Sequence, residues 1–286
     1  MTHPAPDVSG FYHEQTGSIA YVVADPSTGH AAIIDPVLDY DENSGRVTTT
    51  AADHLLAFVE GRGLTIDWIL DTHPHADHFS AAAYLKSKLH APMAIGEKVR
   101  EVQKLWQNIY NLPPYSDEYW DRLFADGDSF RIGSLDARVM LSAGHTLASV
   151  TYVIGDAAFV HDTLFQPDFG TARTDFPGGS ANALYDTIQR ILALPDDTRL
   201  FTGHDYRPGG RPAQWESTVA QQKQDNIHLK DAPSRDIYVA MREKRDRTLP
   251  LPKLMLSALQ VNLRGGRMPE PESNGRSYLK IPIGAF

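Results

Sequence analysis

Residues 71–78, DTHPHADH, contain three histidines and two aspartates and directly follow the apolar run 66–70. Such a run is typical of a buried strand, and a loop at its end can aim several side chains at one point. Imidazole is the commonest protein metal ligand near neutral pH. The segment therefore restricts the chain to folds in which a core strand delivers a metal-binding loop.

Two later histidines and one aspartate also follow apolar stretches. His145 and His204 are each preceded by glycine, and Asp162 follows the buried-looking run 157–160. A Gly-His pair alone is more often a turn than a ligand, but a carboxylate at the end of a buried strand needs a cationic partner to offset its desolvation. Together with the first cluster, these positions predict one metal centre built from several strand ends.

Composition restricts the ligands and the partners. The 286 residues include no cysteine, so disulfides, thiolate ligands and cysteine nucleophiles are excluded, and every metal ligand must be N or O. A formal net charge of −9 argues against binding to a phosphate backbone, so nucleic acid is not an expected partner. The first residues lack a signal-peptide pattern, and no apolar stretch approaches about 18 residues. We therefore expect a cytoplasmic protein without a membrane partner.

Hydrophobic periodicity predicts strands and helices in two similar halves. Apolar runs predict strands at residues 19–23, 31–35, 66–70, 129–132, 136–141, 149–154, 157–160 and 199–202. Apolar residues at helical spacing predict helices at residues 49–61, 80–89, 99–110 and 183–194. Two mixed sheets packed face to face, with helices outside, accommodate this alternation, so we expect an α/β fold.

The C-terminal part of the chain differs in composition. Residues 215–247 are charged and helical in pattern, whereas residues 250–286 are rich in proline and glycine but keep apolar anchors such as Leu256 and Tyr278. We expect a single domain over residues 1–286, with a core at about 10–210 and C-terminal helices and a wrapping tail at about 211–286.

The ligand pattern resembles that of a known family. The order HxHxDH at residues 73–78, Gly144-His145, Asp162 and Gly203-His204 resembles the metallo-β-lactamase superfamily. The resemblance covers about residues 10–210 and implies a four-layer αββα sandwich, with a metal at the joined edge of the two sheets.

The segment 170–179, GTARTDFPGG, narrows the resemblance. Together with residues 260–264 and 278–282, it is similar to persulfide dioxygenases (sulfur dioxygenases), a branch close to glyoxalase II. The chain lacks the Cys-Gly-Lys/Arg-Phe-Phe-Glu-Gly stretch that is usual in glyoxalase II. The resemblance implies an iron-dependent dioxygenase that oxidises glutathione persulfide with O₂ to sulfite and glutathione.

The same resemblance implies roles for the ligands. One Fe(II) per chain is held by two histidines and one aspartate, which map onto His73, His145 and Asp162. A face of two imidazoles and one carboxylate leaves three positions on iron for a sulfur and O₂. The second-site ligands of binuclear relatives are expected to act as hydrogen-bond partners around the iron, and they map onto His75, Asp77, His78 and His204.

Three further residues are candidates for substrate binding. Glutathione carries two carboxylates, and arginine suits the bidentate recognition of such groups. We expect Arg173, Tyr206 and Arg264 to contact it, the alternative for Arg173 being a structural pair with Asp175. His161 is expected to lie outside the site, because strand alternation points its ring away from Asp162. A homodimer is the family-based expectation.

Other functions share the fold or the ligands. The runner-up is a glutathione thioester hydrolase of the glyoxalase II type, with Zn²⁺ or a mixed binuclear Zn/Fe centre and Asp162 between the metals. A nuclease of this fold needs a basic face and a clamping insertion, neither of which the sequence shows. A non-catalytic metal-binding module is disfavoured because the ligand set is complete.

Overall fold

The structure is a computed structural model that describes residues 5–285. Its first sheet has six strands in the order β1-β2-β3-β6-β8-β9. The first two pairings are antiparallel and the other three are parallel. The strands are β1 (Asp7–Tyr12), β2 (Ile19–Ala24), β3 (His30–Ile34), β6 (Thr65–Leu70), β8 (Met93–Gly96) and β9 (Arg122–Phe124).

The second sheet also has six strands, in the order β10-β11-β12-β13-β14-β15. All neighbours are antiparallel except β13 and β14, which run parallel. The strands are β10 (Ser129–Ile132), β11 (Leu135–Leu141), β12 (Val150–Ile154), β13 (Ala157–His161), β14 (Arg199–Thr202) and β15 (Glu216–Thr218). A small third sheet contains β4 (Val37–Asp41), β5 (Arg46–Thr48) and β7 (Phe79–Ser80).

The helices form the outer layers. Residues 5–285 contain α1 (Thr50–Gly61), α2 (Ala82–Leu89), α3 (Val99–Tyr110), α4 (Ala181–Leu192), α5 (Val219–Asp225), α6 (Arg235–Asp246) and α7 (Met255–Asn262). Short 3₁₀ turns lie at Asp117–Tyr119 and Pro208–Gly210. In α4 the hydroxyl of Ser180 caps the first turn by accepting from the amide of Ala183, and Leu184, Ile188 and Ile191 form a fully buried stripe.

Three apolar clusters establish the layer order. The middle cluster joins the inner faces of the two large sheets, for example Tyr21 and Ile34 of the first sheet with Phe159 and Phe201 of the second. The second cluster packs α1, α2, α3 and α7 on the outer face of the first sheet, and the third packs α4 and α6 on that of the second. The layers are therefore α, β, β and α, which confirms the predicted sandwich.

The predicted strands and helices are present, with bounds within two residues of those expected. Within residues 5–285, no helix is both long and apolar enough to cross a membrane. The predicted domain limits at Met1 and Phe286 lie outside the described residues.

Two parts of the C-terminal region differ from the prediction. β15 lies where only helix was expected, because Glu216 to Thr218 pair with the edge of β14. The tail contains a helix, α7, whose Ala258 and Val261 are buried against the first half of the chain. Six strands of the first half, β1, β4, β5, β7, β8 and β9, were also not predicted. They gain their hydrogen bonds from neighbours in space rather than from a strong local pattern.

Candidate metal centre

Strand ends bring the sequence-predicted ligands together. β6 ends at Leu70, and the histidine loop 71–78 follows it before β7. β13 and β14 are parallel neighbours, so the residues that follow them, Asp162 and His204, emerge at the same edge of the second sheet. His145 lies in the loop between β11 and β12.

Three side chains form a tight group at this edge. Nε2 of His73 lies 3.9 Å from Oδ2 of Asp162, and Nε2 of His145 lies 3.7 Å from the same oxygen. All three residues are buried, and their ligand atoms lie within 4.8 Å of one another. Burial lowers the pKa of both imidazoles, that of His73 more strongly, which favours the neutral rings that keep a nitrogen lone pair.

A buried relay fixes the orientation of the His73 ring. The hydroxyl of Thr72 donates to Oδ2 of Asp35 at 2.7 Å, and Oγ1 of Thr72 lies 3.0 Å from Nδ1 of His73. Because the Thr72 proton is directed at Asp35, its oxygen must accept from Nδ1–H of His73. The lone pair on Nε2 of His73 then faces Asp162. Asp35 also accepts from the Thr72 amide at 2.7 Å, so one carboxylate holds the start of the loop.

A backbone carbonyl performs the same task for His145. Nδ1 of His145 donates to the carbonyl oxygen of Arg173 at 2.9 Å, which leaves the lone pair on Nε2. The segment around Arg173 is held from α6: the guanidinium of Arg242 donates to the Thr171 carbonyl at 2.9 Å, and Asp246 accepts from the Thr174 amide at 2.8 Å. The C-terminal helix α6 therefore supports a candidate ligand of the core.

A second group, Asp77, His78 and His204, lies beside the first and is hydrogen-bonded through Asp77, while Nε2 of His78 has no partner within residues 5–285. His204 contacts both acids: its Nδ1 lies 2.5 Å from Oδ1 of Asp162, and its Nε2 lies 2.6 Å from Oδ2 of Asp77. Oδ2 of Asp77 also accepts from Ser18 at 2.8 Å and lies 3.0 Å from Nδ1 of His78. Burial alone lowers the pKa of His204, but the two carboxylates outweigh it and raise that pKa well above its usual range.

His75 faces away from the first group. Its Nε2 lies 3.0 Å from Oδ1 of Asp35, which offsets the effect of burial and raises the His75 pKa to about 9. Asp71 lies nearby, and burial followed by the charge of Asp35 raises its pKa to about 7. His75 therefore belongs to a buried charge cluster beneath the loop, although it also lies near Asp77 and His78.

The residues present fit a divalent metal ion. Nε2 of His73 is buried and has no hydrogen-bond partner within residues 5–285, although a buried nitrogen of this kind is normally paired. Two neutral imidazole nitrogens and one carboxylate oxygen are the donors that Fe(II) and Zn(II) accept. The group of His73, His145 and Asp162 supplies these donors at one point.

His161 differs from its prediction. Its ring was expected to point away from the site, but it is buried 5.2 Å from the ring of His73. The regular alternation fails here because the β13–β14 register shifts between Phe159 and His161, and His161 has a φ of 41°. Nε2 of His161 lies 3.1 Å from the hydroxyl of Thr163, so the ring packs behind His73.

The three substrate candidates are separated by the fold. Arg173 and Tyr206 line a cavity of about 390 Å³ that opens over His145 and Asp162. The Arg173 guanidinium forms a bidentate pair with Asp175, which is the structural alternative to substrate binding, and also donates to the carbonyl of Pro250. Arg264 does not line this cavity; its guanidinium lies over the ring of Tyr115, 5.8 Å from the centroid. The structure therefore does not bring Arg264 to the site.

Sequence reasoning missed three supporting residues. Asn262 of α7 donates to the carbonyls of His75 and His78 at 2.8 and 2.7 Å, and thus fastens the histidine loop. Ser18 reaches Asp77 and His204 from the β1–β2 hairpin, and Asp35 acts through Thr72. Of the three, only Asn262 could have been found from the sequence, because it falls within the C-terminal stretch that resembles the family.

Each of the two Gly-His pairs requires its glycine for a different steric reason. A Cβ on Gly203 would lie 2.5 Å from Oδ1 of Asp162, so only glycine permits the His204 strand to approach that carboxylate. Gly144 has a φ of 143°, and a Cβ there would lie 2.4 Å from the Cα of Leu184 in α4. Both glycines therefore allow a ligand-bearing loop to pack closely.

Known proteins resemble this chain in sequence. It is 64% identical to the "Beta-lactamase hydrolase-like protein" of Xylella fastidiosa over 98% of its own length, and it spans 65% of that relative's length. It is 45% identical to "Glyoxylase B2" of Dictyostelium discoideum, over 92% of this chain and 91% of that protein. It is 27% identical to the persulfide dioxygenase ETHE1 of Bos taurus, over 91% of this chain and 89% of that protein.

A solved structure and a family model indicate the same family as these relatives. The crystal structure of ETHE1 from Myxococcus xanthus superposes with a TM-score of 0.75 at 28% identity, covering 91% of this chain and 100% of that one. The model of the family described as "Metallo-beta-lactamase superfamily" matches residues 15–204, which include every candidate ligand of both groups. The chain therefore belongs to the metallo-β-lactamase superfamily.

Proposed function

We propose that this protein is an iron-dependent persulfide dioxygenase that oxidises glutathione persulfide. The overall change is RSS⁻ + O₂ + H₂O → RSH + SO₃²⁻ + H⁺, in which the outer sulfur is oxidised and O₂ is reduced. The observation that carries the proposal is that His73, His145 and Oδ2 of Asp162 form an open donor set, whereas His204 is hydrogen-bonded to both Asp162 and Asp77.

The open set comprises His73, His145 and Oδ2 of Asp162, with the two imidazoles already turned to present their lone pairs. The other carboxylate oxygen of Asp162 is taken by His204, and His204 is in turn held by Asp77. A single metal ion with three protein donors satisfies this arrangement. Iron(II) held there supplies redox chemistry with O₂ and free positions for a sulfur ligand.

The protein's own residues then bind, orient and exclude water. The aromatic wall of the cavity, which includes Phe165, Phe169 and Tyr206, presents an apolar surface beside the ligands. Tyr206 stacks on the His204 ring with an interplanar angle of 7° and therefore shields the Asp162–His204 contact. The ring of Phe176 packs edge-on against His145 at 5.2 Å and restricts its movement.

The mouth of the cavity favours an anionic substrate. Arg173, Arg245 and Lys253 line it, while Arg173 and Lys253 already pair with Asp175 and Glu42. Arg245 is exposed and has no side-chain ion pair with another residue in the described range 5–285. Its guanidinium is available for a carboxylate, which supports glutathione as the carrier of the reacting sulfur.

The decisive experiment combines metal analysis with oxygen uptake. Protein purified without added metal should contain about one iron per chain, which is the expected outcome for a two-histidine, one-carboxylate iron site. It should consume O₂ with glutathione persulfide and form sulfite in equal amount. His73→Ala should abolish both the iron and the uptake. A protein that holds zinc at two sites per chain and consumes no O₂ would refute the proposal.

A binuclear thioester hydrolase is the second candidate, and one observation favours it. Asp77, Asp162 and His204 also place their ligand atoms within 4.8 Å of one another, so a second ion would find donors if their mutual hydrogen bonds opened. The names of the hydrolase-like and glyoxylase relatives point the same way. Hydrolysis of S-lactoylglutathione without O₂ uptake would establish this alternative.

A further inference from the structure

A file of hydrogen-bonded side chains leads from the second group of residues through the β1–β2 hairpin. Nε2 of His204 lies 3.0 Å from the hydroxyl of Ser18, and that hydroxyl lies 2.7 Å from Oγ1 of Thr16. Oγ1 of Thr16 lies 2.8 Å from Nδ1 of His13, and Nε2 of His13 lies 3.2 Å from Oδ1 of Asp39. Every link is within hydrogen-bonding distance.

The file runs from a buried end at Ser18 to a more solvent-exposed end at His13 and Asp39. Ser18 is 1% exposed, whereas the side chains of His13 and Asp39 are 10% and 20% exposed. Thr16 lines the active-site cavity, while His13 and Asp39 line a separate cavity of about 300 Å³ together with His54. The hairpin is thus the wall between the two cavities, and the file passes through it.

The hydrogen-bonding capacities allow a proton to move along the file. The Asp39 carboxylate accepts only, so the proton of a neutral His13 resides on Nε2 and its Nδ1 accepts from Thr16. The Ser18 hydroxyl donates to Oδ2 of Asp77, so it must turn toward Thr16 to pass a proton outward, and the Thr16 hydroxyl can then accept from Ser18 while it donates to Nδ1 of His13. A proton that enters at Thr16, directly or by way of Ser18, therefore places a second proton on His13, and the Nε2 proton leaves past Asp39.

The side-chain file is not needed to close the hairpin. Backbone bonds close it already, since the amide of His13 donates to the Ser18 carbonyl at 2.8 Å and the amide of Gly17 donates to the His13 carbonyl at 2.8 Å. Gly17 has a φ of 75°, which glycine adopts without strain. A second role is therefore open to the side chains.

The reaction needs an exit for protons. Persulfide oxidation, as balanced above, releases one proton per turnover, because water gives one of its protons to the leaving thiolate and loses the other. Thioester hydrolysis likewise releases one proton when the acid ionises. A substrate bound in the main cavity would cover its aromatic wall, so a separate route through the hairpin would keep proton release independent of substrate binding.

We propose that Ser18, Thr16 and His13 form a proton-exit path from the metal centre, with His13 as the outer relay that transfers the proton to solvent beside Asp39. His13 acts through Thr16 and does not touch the substrate. The inference rests on the proposed function only in that the site must carry out a proton-releasing reaction.

The test uses His13→Gln in the full chain, because glutamine keeps hydrogen-bonding atoms but does not carry a proton. In dilute buffer kcat should fall about tenfold, less than the 10²–10⁴ typical of direct general acid–base catalysis because bulk water still takes some protons. Added imidazole should restore the rate, and the solvent deuterium isotope effect on kcat should increase. Thr16→Val should reproduce the loss but respond less to imidazole.

His54→Gln is the matched control. His54 lines the same cavity but lies outside the file, so its replacement should leave kcat and the isotope effect unchanged in dilute buffer. Thermal unfolding of all variants checks that the hairpin remains folded. An unchanged kcat and isotope effect for His13→Gln in dilute buffer would overturn the exit path.

A second readout does not depend on activity. For the neutral form of His13, ¹⁵N NMR of the histidine rings in the metal-free protein should place the ring proton on Nε2, and Asp39→Asn should weaken that preference. A proton on Nδ1 would contradict the path. If the protein hydrolyses S-lactoylglutathione instead of consuming O₂, the proposed function fails, but the same buffer dependence is measured on hydrolysis. If neither substrate reacts, the NMR result decides the path by itself.

Discussion

Nδ1 of His204 lies 2.5 Å from Oδ1 of Asp162, so only the other oxygen of that carboxylate faces His73 and His145. This contact engages His204 in a hydrogen bond, whereas Nε2 of His145 lies 3.7 Å from the open oxygen Oδ2 of Asp162. We predict that His145→Ala abolishes metal retention, whereas His204→Ala keeps much of it. Metal content per chain after purification without added metal measures the difference. Equal loss in the two variants would identify His204 as a ligand.

Thr72 is predicted to control metal affinity without touching the metal. Thr72→Val keeps the side-chain shape but removes the hydroxyl that accepts from His73 and donates to Asp35. Loss of such an orienting contact should weaken metal binding by about 10- to 100-fold. Competition with a chelator measures the affinity. Thr151→Val is the control, because it removes a buried hydroxyl bonded to Ser142 and touches no ligand; similar weakening there would argue against the orienting role.

Gly203 is predicted to tolerate no side chain. In Gly203→Ala the new Cβ would lie 2.5 Å from Oδ1 of Asp162, so the carboxylate must turn and Oδ2 loses its position between the two imidazoles. Metal content should fall sharply while the circular dichroism spectrum stays unchanged. Gly61→Ala, at the end of α1, is the control because a Cβ there meets open space. A Gly203→Ala protein with full metal content would show that the close approach is not required.

Arg245, proposed from the structure, and Arg264, predicted from the sequence, should differ in their effect on KM. Arg245→Ala removes an exposed guanidinium from the cavity mouth and should raise KM about five- to tenfold with little change in kcat, as expected for loss of uniform binding. Arg264→Ala should leave KM unchanged, because its guanidinium packs on Tyr115 away from the cavity. Steady-state kinetics with glutathione persulfide checks both. A raised KM in Arg264→Ala alone would reverse the assignment.

His228 should make the fold sensitive to acid. Burial, followed by the charge of Arg242, lowers its pKa from 6.5 to about 4, and its Nδ1 accepts from the Thr171 amide at 3.0 Å. The unfolded chain therefore binds the proton more tightly than the folded chain does. This stabilisation is complete above the unfolded pKa and is lost as the pH falls from 6.5 to about 4, by less than about 3 kcal/mol because solvent screens the partly exposed ring.

Urea unfolding at several pH values tests this dependence. The wild-type protein should lose more free energy of unfolding between pH 6.5 and 4 than His228→Gln, which has no titrating ring at that position. Parallel pH profiles for the two proteins would show that His228 titrates normally when folded.

The sequence identified the core elements because their signals are local. The apolar run before residues 71–78 and the stripe of Leu184, Ile188 and Ile191 depend only on neighbours along the chain. Short strands such as β8 and β15 have no such signal, since their hydrogen bonds come from strands that are distant in sequence. The orientation of the His161 ring was predicted wrongly for a related reason. A register shift between β13 and β14 overrides the side-chain alternation expected for β13 alone.

The sequence by itself determined which residues could bind a metal: histidine and aspartate at strand ends in a chain without cysteine leave few other donors. Only the tertiary structure decided how those residues divide. Oδ2 of Asp162 is open while Oδ1 is taken by His204, and Thr72 and the Arg173 carbonyl turn the two imidazoles toward that open oxygen. These choices depend on which atoms from separate strands come within hydrogen-bonding distance, and spacing along the chain does not contain that information.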